Sequence, residues 1–143
     1  MKKIALLGAL ALSLMSPLAL AEKPLRIGIE AAYPPFAFKT PDGQIAGFDY
    51  DIGNALCEEM KVKCTLIKQD WDGIIPALLV RKYDAIVASM SITEERKQAV
   101  DFTDAYYTNK LQFIAPKSAD FKTDEASLNG KVIGAQRATI AGT

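Results

Sequence analysis

The stretch Val62-Lys63-Cys64-Thr65-Leu66-Ile67-Lys68, followed by Trp71-Asp72-Gly73-Ile74-Ile75-Pro76-Ala77-Leu78-Leu79 and then Tyr83-Asp84-Ala85-Ile86-Val87-Ala88, decides the fold. Its first part is rich in β-branched residues and predicts a strand over 62–68. Ile74, Ile75, Leu78 and Leu79 recur at helical spacing, and Pro76 is tolerable because it falls in the first turn. Tyr83 to Ala88 is mostly apolar and reads as another strand. Upstream, Leu25-Arg26-Ile27-Gly28-Ile29 alternates like a short strand, whereas Tyr33-Pro34-Pro35-Phe36 and Pro41-Asp42-Gly43 carry loop and turn chemistry. Asp49 is placed as the N-cap of a helix on which Ile52, Ala55, Leu56 and Met60 share a face. Strand, helix, strand, helix, strand with short connections predicts a parallel α/β sheet covered on both faces. Such sheets bind ligands at the carboxyl ends of their strands, which directs attention to Glu30–Phe36 and Ser89–Arg96.

Downstream, Ser91 or Thr93 is expected to cap a short helix begun by Glu94 and Glu95, whose free amides would welcome an anion. Val100–Thr103, Lys110–Pro116 and Lys131–Ala135 read as further strands. The stretch 120–129 is polar, with room for one helical turn. Composition narrows the function classes. The chain has 143 residues, 17 Lys+Arg against 17 Asp+Glu, and no histidine. Charge balance without a basic cluster speaks against a dedicated nucleic-acid binder. Absence of histidine removes Ser/His/Asp and Cys/His catalytic arrangements and any His-ligated metal site from this stretch.

Residues 1–21 read as a secretory signal peptide. Lys2 and Lys3 give the basic start, Ile4–Met15 the apolar stretch, and Ala19-Leu20-Ala21 the small-x-small cleavage pattern. The apolar run is shorter than the ~20 residues a membrane-spanning helix needs. Without the signal the exported part is slightly acidic. Export places Cys57 and Cys64 in an oxidising compartment, which favours a structural disulfide; a redox pair or two buried thiols are the other readings.

The runs Arg26–Phe36, Gly47-Phe48-Asp49-Tyr50-Asp51, Asp70–Pro76, Tyr83-Asp84-Ala85-Ile86 and Ser91-Ile92-Thr93-Glu94-Glu95-Arg96 resemble the periplasmic amino-acid-binding proteins of ABC importers. Within that family the chain is most similar to the lysine/arginine/ornithine- and histidine-binding branch, whose disulfide matches Cys57 and Cys64. The resemblance implies an α/β protein of the two-lobe periplasmic binding protein fold (type II). Residues 22–109 would be the first segment of lobe one. Residues 110–143 would open lobe two, which in family members continues further, so the chain resembles a fragment truncated within that lobe.

The same resemblance implies the ligand contacts. Arg96 matches the arginine that clamps the ligand's α-carboxylate, a task suited to a planar guanidinium with two parallel donors. Read alone, it would be an ordinary solvated arginine in a Glu-Glu-Arg-Lys run. Ser89, Ser91 and Thr139 would add hydrogen bonds, and Tyr33 and Trp71 match an aromatic pair that sandwiches the ligand's aliphatic part. Glu30 stands where basic-ligand binders place an acid facing the distal cation. Two departures bear on the pocket: Ala88 replaces a frequent serine, and Ala138 replaces the usual glycine before Thr139. The aspartate holding the α-ammonium comes later in family members.

The function implied is a monomeric periplasmic receptor for a polar, basic L-amino acid, delivering it to an ABC permease by lobe closure, without enzyme activity, cofactor or metal. The alternatives are a periplasmic dehydratase of the same fold acting on prephenate-like acids, with Glu30 as general acid or base, and an extracellular sensor domain.

Overall fold

The computed structural model describes residues 23–120 and 122–142, so the signal read over 1–21 lies outside the described residues. Its elements are β1 (Leu25–Ile29), β2 (Ala32–Tyr33), β3 (Ala37–Lys39), β4 (Ile45–Ala46), α1 (Phe48–Met60), β5 (Cys64–Lys68), a 3-10 turn (Trp71–Gly73), α2 (Ile74–Leu79), β6 (Ala85–Ile86), α3 (Glu94–Lys97) and α4 (Glu125–Leu128). Strands β5, β1 and β6 form a parallel sheet with β1 in the middle. The expected parallel α/β arrangement is therefore present.

The alternation of β1 explains how two helices pack on opposite faces. Ile27, with Leu25 partly buried beside it, joins Cys57 and Ile52 of α1, together with Leu66 and Val87. The other face gathers Ile74 and Leu78 of α2 with Tyr83, Ala88, Ile67 and Ile86. Gly28 points to this second face, where a Cβ would fall 2.6 Å from the Tyr83 ring. Glycine is therefore required for the tyrosine to lie flat against the sheet. The Tyr83 hydroxyl donates to the Ile74 carbonyl, tying the start of α2 to the approach of β6.

The Cys57–Cys64 disulfide joins the last turn of α1 to the first residue of β5, with a Cα–Cα distance of 6.1 Å. Between them the chain reverses at Lys61, whose left-handed backbone (φ 57) ends the helix. Of the readings of the cysteine pair, the structural bridge is the one present.

Several local expectations differ from the structure. The strand read over Val62–Lys68 begins only at Cys64, because Lys61–Val62 closes the helix through bonds to Glu58 and Cys57. That read over Tyr83–Ala88 shortens to Ala85–Ile86, as Tyr83 turns into the core. Asp49 is not the cap of α1; Gly47 is, at φ 120, and Asp49 is buried one residue inside the helix. Around the loop and turn stretches read at Tyr33–Phe36 and Pro41–Gly43 runs a small antiparallel ribbon, β2-β3-β4, that their prolines and glycine concealed. Val100–Thr103, Lys110–Pro116 and Lys131–Ala135 enter no ladder among the described residues. Extended, apolar-rich sequence forms a strand only when a neighbouring strand takes up its backbone groups.

Candidate functional site

The carboxyl ends of β1, β5 and β6 open onto one cavity of about 190 Å³. Glu30 follows β1, Trp71 follows β5, and Ala88, Ser89 and Ser91 follow β6. Tyr33 arrives on β2 and Arg96 on α3, while Gln136 and Thr139 come from the far end of the described chain. Every residue carried over as a ligand contact (Glu30, Tyr33, Trp71, Ala88, Ser89, Ser91, Arg96 and Thr139) lines this cavity. Its volume suits a molecule smaller than the drug-sized ligands that occupy roughly 300–1,000 Å³.

Arg96 is held by backbone. Thr93 caps α3 by accepting the Arg96 N–H at 3.2 Å, as its sequence position suggests. The guanidinium Nη1 donates to the Ser91 carbonyl at 2.8 Å and Nη2 to the Ala138 carbonyl at 3.1 Å. Its Cζ lies 5.5 Å from the Trp71 ring centroid, within cation–π range. Burial lowers its pKa from the usual arginine value, although the group stays charged at any ordinary pH. Among the described residues Arg96 enters no ion pair. Because α3 is a single turn whose Arg96 amide is already taken up by Thr93, capacity for an anion resides in the guanidinium.

Glu30 is the opposite pole. It is 7% exposed and enters no ion pair among the described residues. Gln136 Nε2 donates to its Oε1 at 3.1 Å. Burial raises its pKa above the usual 4.5, the Gln136 bond opposes the rise, and the nearby Asp70 and Asp49 add to it. A buried anion and a half-buried cation thus share one cavity, each supported by neutral groups.

The aromatic residues are arranged differently from a simple facing pair. The Tyr33 ring stacks on Phe36, with centroids 5.2 Å apart and an interplanar angle of 16°. Trp71 instead carries Arg96 on its face and donates its indole N–H to the Ala138 carbonyl at 2.8 Å. Thr139 turns its hydroxyl back to the Gln136 carbonyl at 2.7 Å. Ser89 donates its hydroxyl to Asp49 at 2.7 Å and its N–H to the Tyr106 hydroxyl at 2.6 Å, so it offers the cavity acceptors rather than donors.

Ala138 adopts φ 60, in the left-handed region that glycine favours. The departure from glycine noted in the sequence therefore falls where a side chain is conformationally unfavourable. The turn directs one carbonyl at both the Trp71 and Arg96 donors. Beside it, Arg137 pairs with Asp72.

Gln136 is the functional residue that sequence reasoning left without a role. Its partner Glu30 is 106 positions away, a separation at which no local pattern signals contact. Asn109 and Leu111 also line the cavity.

Residues 25–141 match the family model for bacterial extracellular solute-binding proteins, family 3. The chain belongs to that family. This solute-binding protein is 61% identical over 142 residues to the L-arginine-binding protein of Pseudomonas aeruginosa, covering 99% of this chain and 55% of that one. It is 42% identical over 110 residues to the lysine/arginine/ornithine-binding periplasmic protein of Escherichia coli, covering 77% of this chain and 42% of the relative. The chain thus spans about half the length of these relatives. Among solved structures, an ancestral arginine-binding protein bound to arginine superposes with a TM-score of 0.58 at 49% identity, covering 59% of this chain and 37% of that one. A point mutant of the arginine-bound form of domain 1 from TmArgBP superposes with a TM-score of 0.56 at 42% identity, covering 58% of this chain and 64% of that one. The fold is α/β of the type II periplasmic binding kind, as the sequence motifs imply.

Proposed function

We propose that the chain is the N-terminal part of a periplasmic receptor that binds one basic L-amino acid and presents it to an ABC permease, acting as a monomer. L-arginine is the first ligand to test, since relatives 61% and 49% identical to this chain are named as arginine-binding. The observation that carries the reading is the pair of opposite charges in one cavity that enter no ion pair among the described residues: half-buried Arg96 for the α-carboxylate and buried Glu30 for the distal cation. A zwitterion with a cationic side chain supplies both missing counter-charges at once. In this reading residues 1–21 direct export, 22–109 form the first segment of lobe one and 110–143 begin lobe two.

The arrangement suggests how closure couples to the ligand. Gln136, Arg137 and Ala138 already reach Glu30, Asp72, Trp71 and Arg96 across the cavity. A ligand carboxylate would take the Arg96 donor now given to the Ala138 carbonyl, exchanging a neutral acceptor for an anionic one with a stronger hydrogen bond. Only the closed state brings both walls to the ligand, so binding favours it. Tyr33 and Trp71 would flank the methylenes, while Ser89 and Ser91 offer acceptors to the α-ammonium.

Titration calorimetry of L-arginine into the full-length protein tests the reading. Arg96→Ala should weaken binding by roughly 2 to 5 kcal/mol, because it leaves a carboxylate desolvated without its partner. A loss below about 1 kcal/mol would sink the clamp assignment. Turnover of a prephenate-like acid without amino-acid binding would overturn the receptor reading in favour of a dehydratase.

A further inference from the structure

Beside the cavity, one of its lining residues, Ser89, belongs to a closed ring of hydrogen bonds. Asp49, on α1, is 2% exposed. Its Oδ1 accepts the Ser89 hydroxyl at 2.7 Å and the Tyr106 hydroxyl at 2.9 Å, while the Tyr106 oxygen accepts the Ser89 backbone N–H at 2.6 Å. Each group donates or accepts in one consistent sense, so the three residues satisfy one another. A buried carboxylate with no ion pair among the described residues is costly, and networks that satisfy such a group rigidify what they hold.

What this ring holds is a strained turn. Ser89 sits at φ 45, a left-handed conformation that a residue bearing a Cβ adopts only when its surroundings enforce it. Two of the three bonds end on Ser89, one on its backbone and one on its side chain. The turn lies between Ala88 and Ser91, both on the cavity wall, and the Ser91 carbonyl in turn anchors the Arg96 guanidinium. Burial pushes the Tyr106 phenol up to about 12, so it remains a proton donor throughout the neutral range.

We propose that Asp49 and Tyr106 are positioning residues of the binding site, fixing the left-handed turn at Ser89 and, through it, the Ser91 carbonyl that orients Arg96. The proposal rests on the reading of the cavity as an amino-acid site.

The test uses two readouts on the full-length protein: exchange of the Ser89 amide proton by NMR without ligand, and L-arginine affinity by calorimetry. Tyr106→Phe removes one ring hydroxyl with little change in shape. Asp49→Ala removes the shared acceptor, and Asp49→Asn keeps an oxygen that can accept both hydroxyl bonds. Tyr106→Phe and Asp49→Ala each remove two of the three bonds, and should each speed Ser89 exchange and weaken L-arginine binding at least about tenfold, one good hydrogen bond being worth about that factor, while Asp49→Asn stays near wild type in both. A lower melting temperature in Tyr106→Phe with unchanged Ser89 exchange and unchanged affinity would make the ring merely structural and overturn the proposal. Should the wild type fail to bind L-arginine, the ligand reading falls by itself and Ser89 exchange decides the ring: acceleration supports it, constancy overturns it.

Discussion

Replacing Glu30 by glutamine should strengthen the empty protein and weaken the loaded one. Glu30 is 7% exposed, receives one amide N–H and enters no ion pair among the described residues, while Asp70 and Asp49 add negative charge nearby. Its pKa in the folded state is raised above 4.5, so the fold binds this proton more tightly than the unfolded chain does. The stabilisation linked to it is complete below the unfolded value and is lost as pH rises through the folded pKa. At neutral pH an ionised Glu30 is therefore a liability to the empty protein, and Glu30→Gln removes it while leaving an oxygen for Gln136.

The ligand reverses the balance. A cation about 4 Å from the carboxylate gains roughly 4 kcal/mol at an effective dielectric of 20. Desolvating the ligand's charge returns about half of this, leaving about 2 kcal/mol, the range of a hydrogen bond to a charged group, or a factor of about 30 in affinity. Calorimetry with L-arginine should show that loss in Glu30→Gln at pH 7, beside a raised melting temperature without ligand. Wild-type affinity should also fall as pH is lowered through the raised pKa toward 4.5, and the variant's should not. If Glu30→Gln binds L-arginine as the wild type does and shares its pH profile, Glu30 does not face the ligand's cation.

Other perturbations probe the scaffold. Gly28→Ala drives a methyl into the Tyr83 ring, and overpacking of this kind should cost about 1 to 3 kcal/mol in urea unfolding. Replacing both Cys57 and Cys64 by serine should lower stability by about 2 kcal/mol through a freer unfolded chain, with L-arginine affinity kept in the protein that remains folded. Asp84 is held down to about 2 by hydrogen bonds from Arg26, so its contribution is present above the usual 3.8 and lost as pH falls through 2; Asp84→Asn should flatten that part of an acid unfolding curve. Ala138→Gly removes a Cβ at φ 60 and should raise the melting temperature or leave it unchanged. A clear fall in that variant would mean that the strain at this turn has been misjudged.

What was legible in the sequence was mainly local. β1, α1, β5 and the Thr93 cap follow from alternation, helical spacing and cap chemistry within short windows. The rule that ligands meet the carboxyl ends of parallel strands located the cavity, and family motifs supplied its wall. Asp49 shows the limit. An aspartate just ahead of a helical pattern looks the same whether it caps the helix or turns inward, and only Ser89 and Tyr106, 40 and 57 positions away, decide which. Gln136 was hidden for the same reason. The expected strands over 110–116 and 131–135 failed differently: apolar alternation records a willingness to pair, and pairing needs a partner beside it.

The placement of Gln136 has a consequence in time. Everything in the parallel sheet, with both helices covering it and the disulfide, lies between residues 25 and 86. A chain emerging amino end first therefore completes its scaffold before the amide that answers Glu30 arrives with residue 136. Most of the cavity's lining, from Ala88 onward, likewise comes after the sheet, so the binding site is the last part of this stretch to be finished, on a scaffold already laid down.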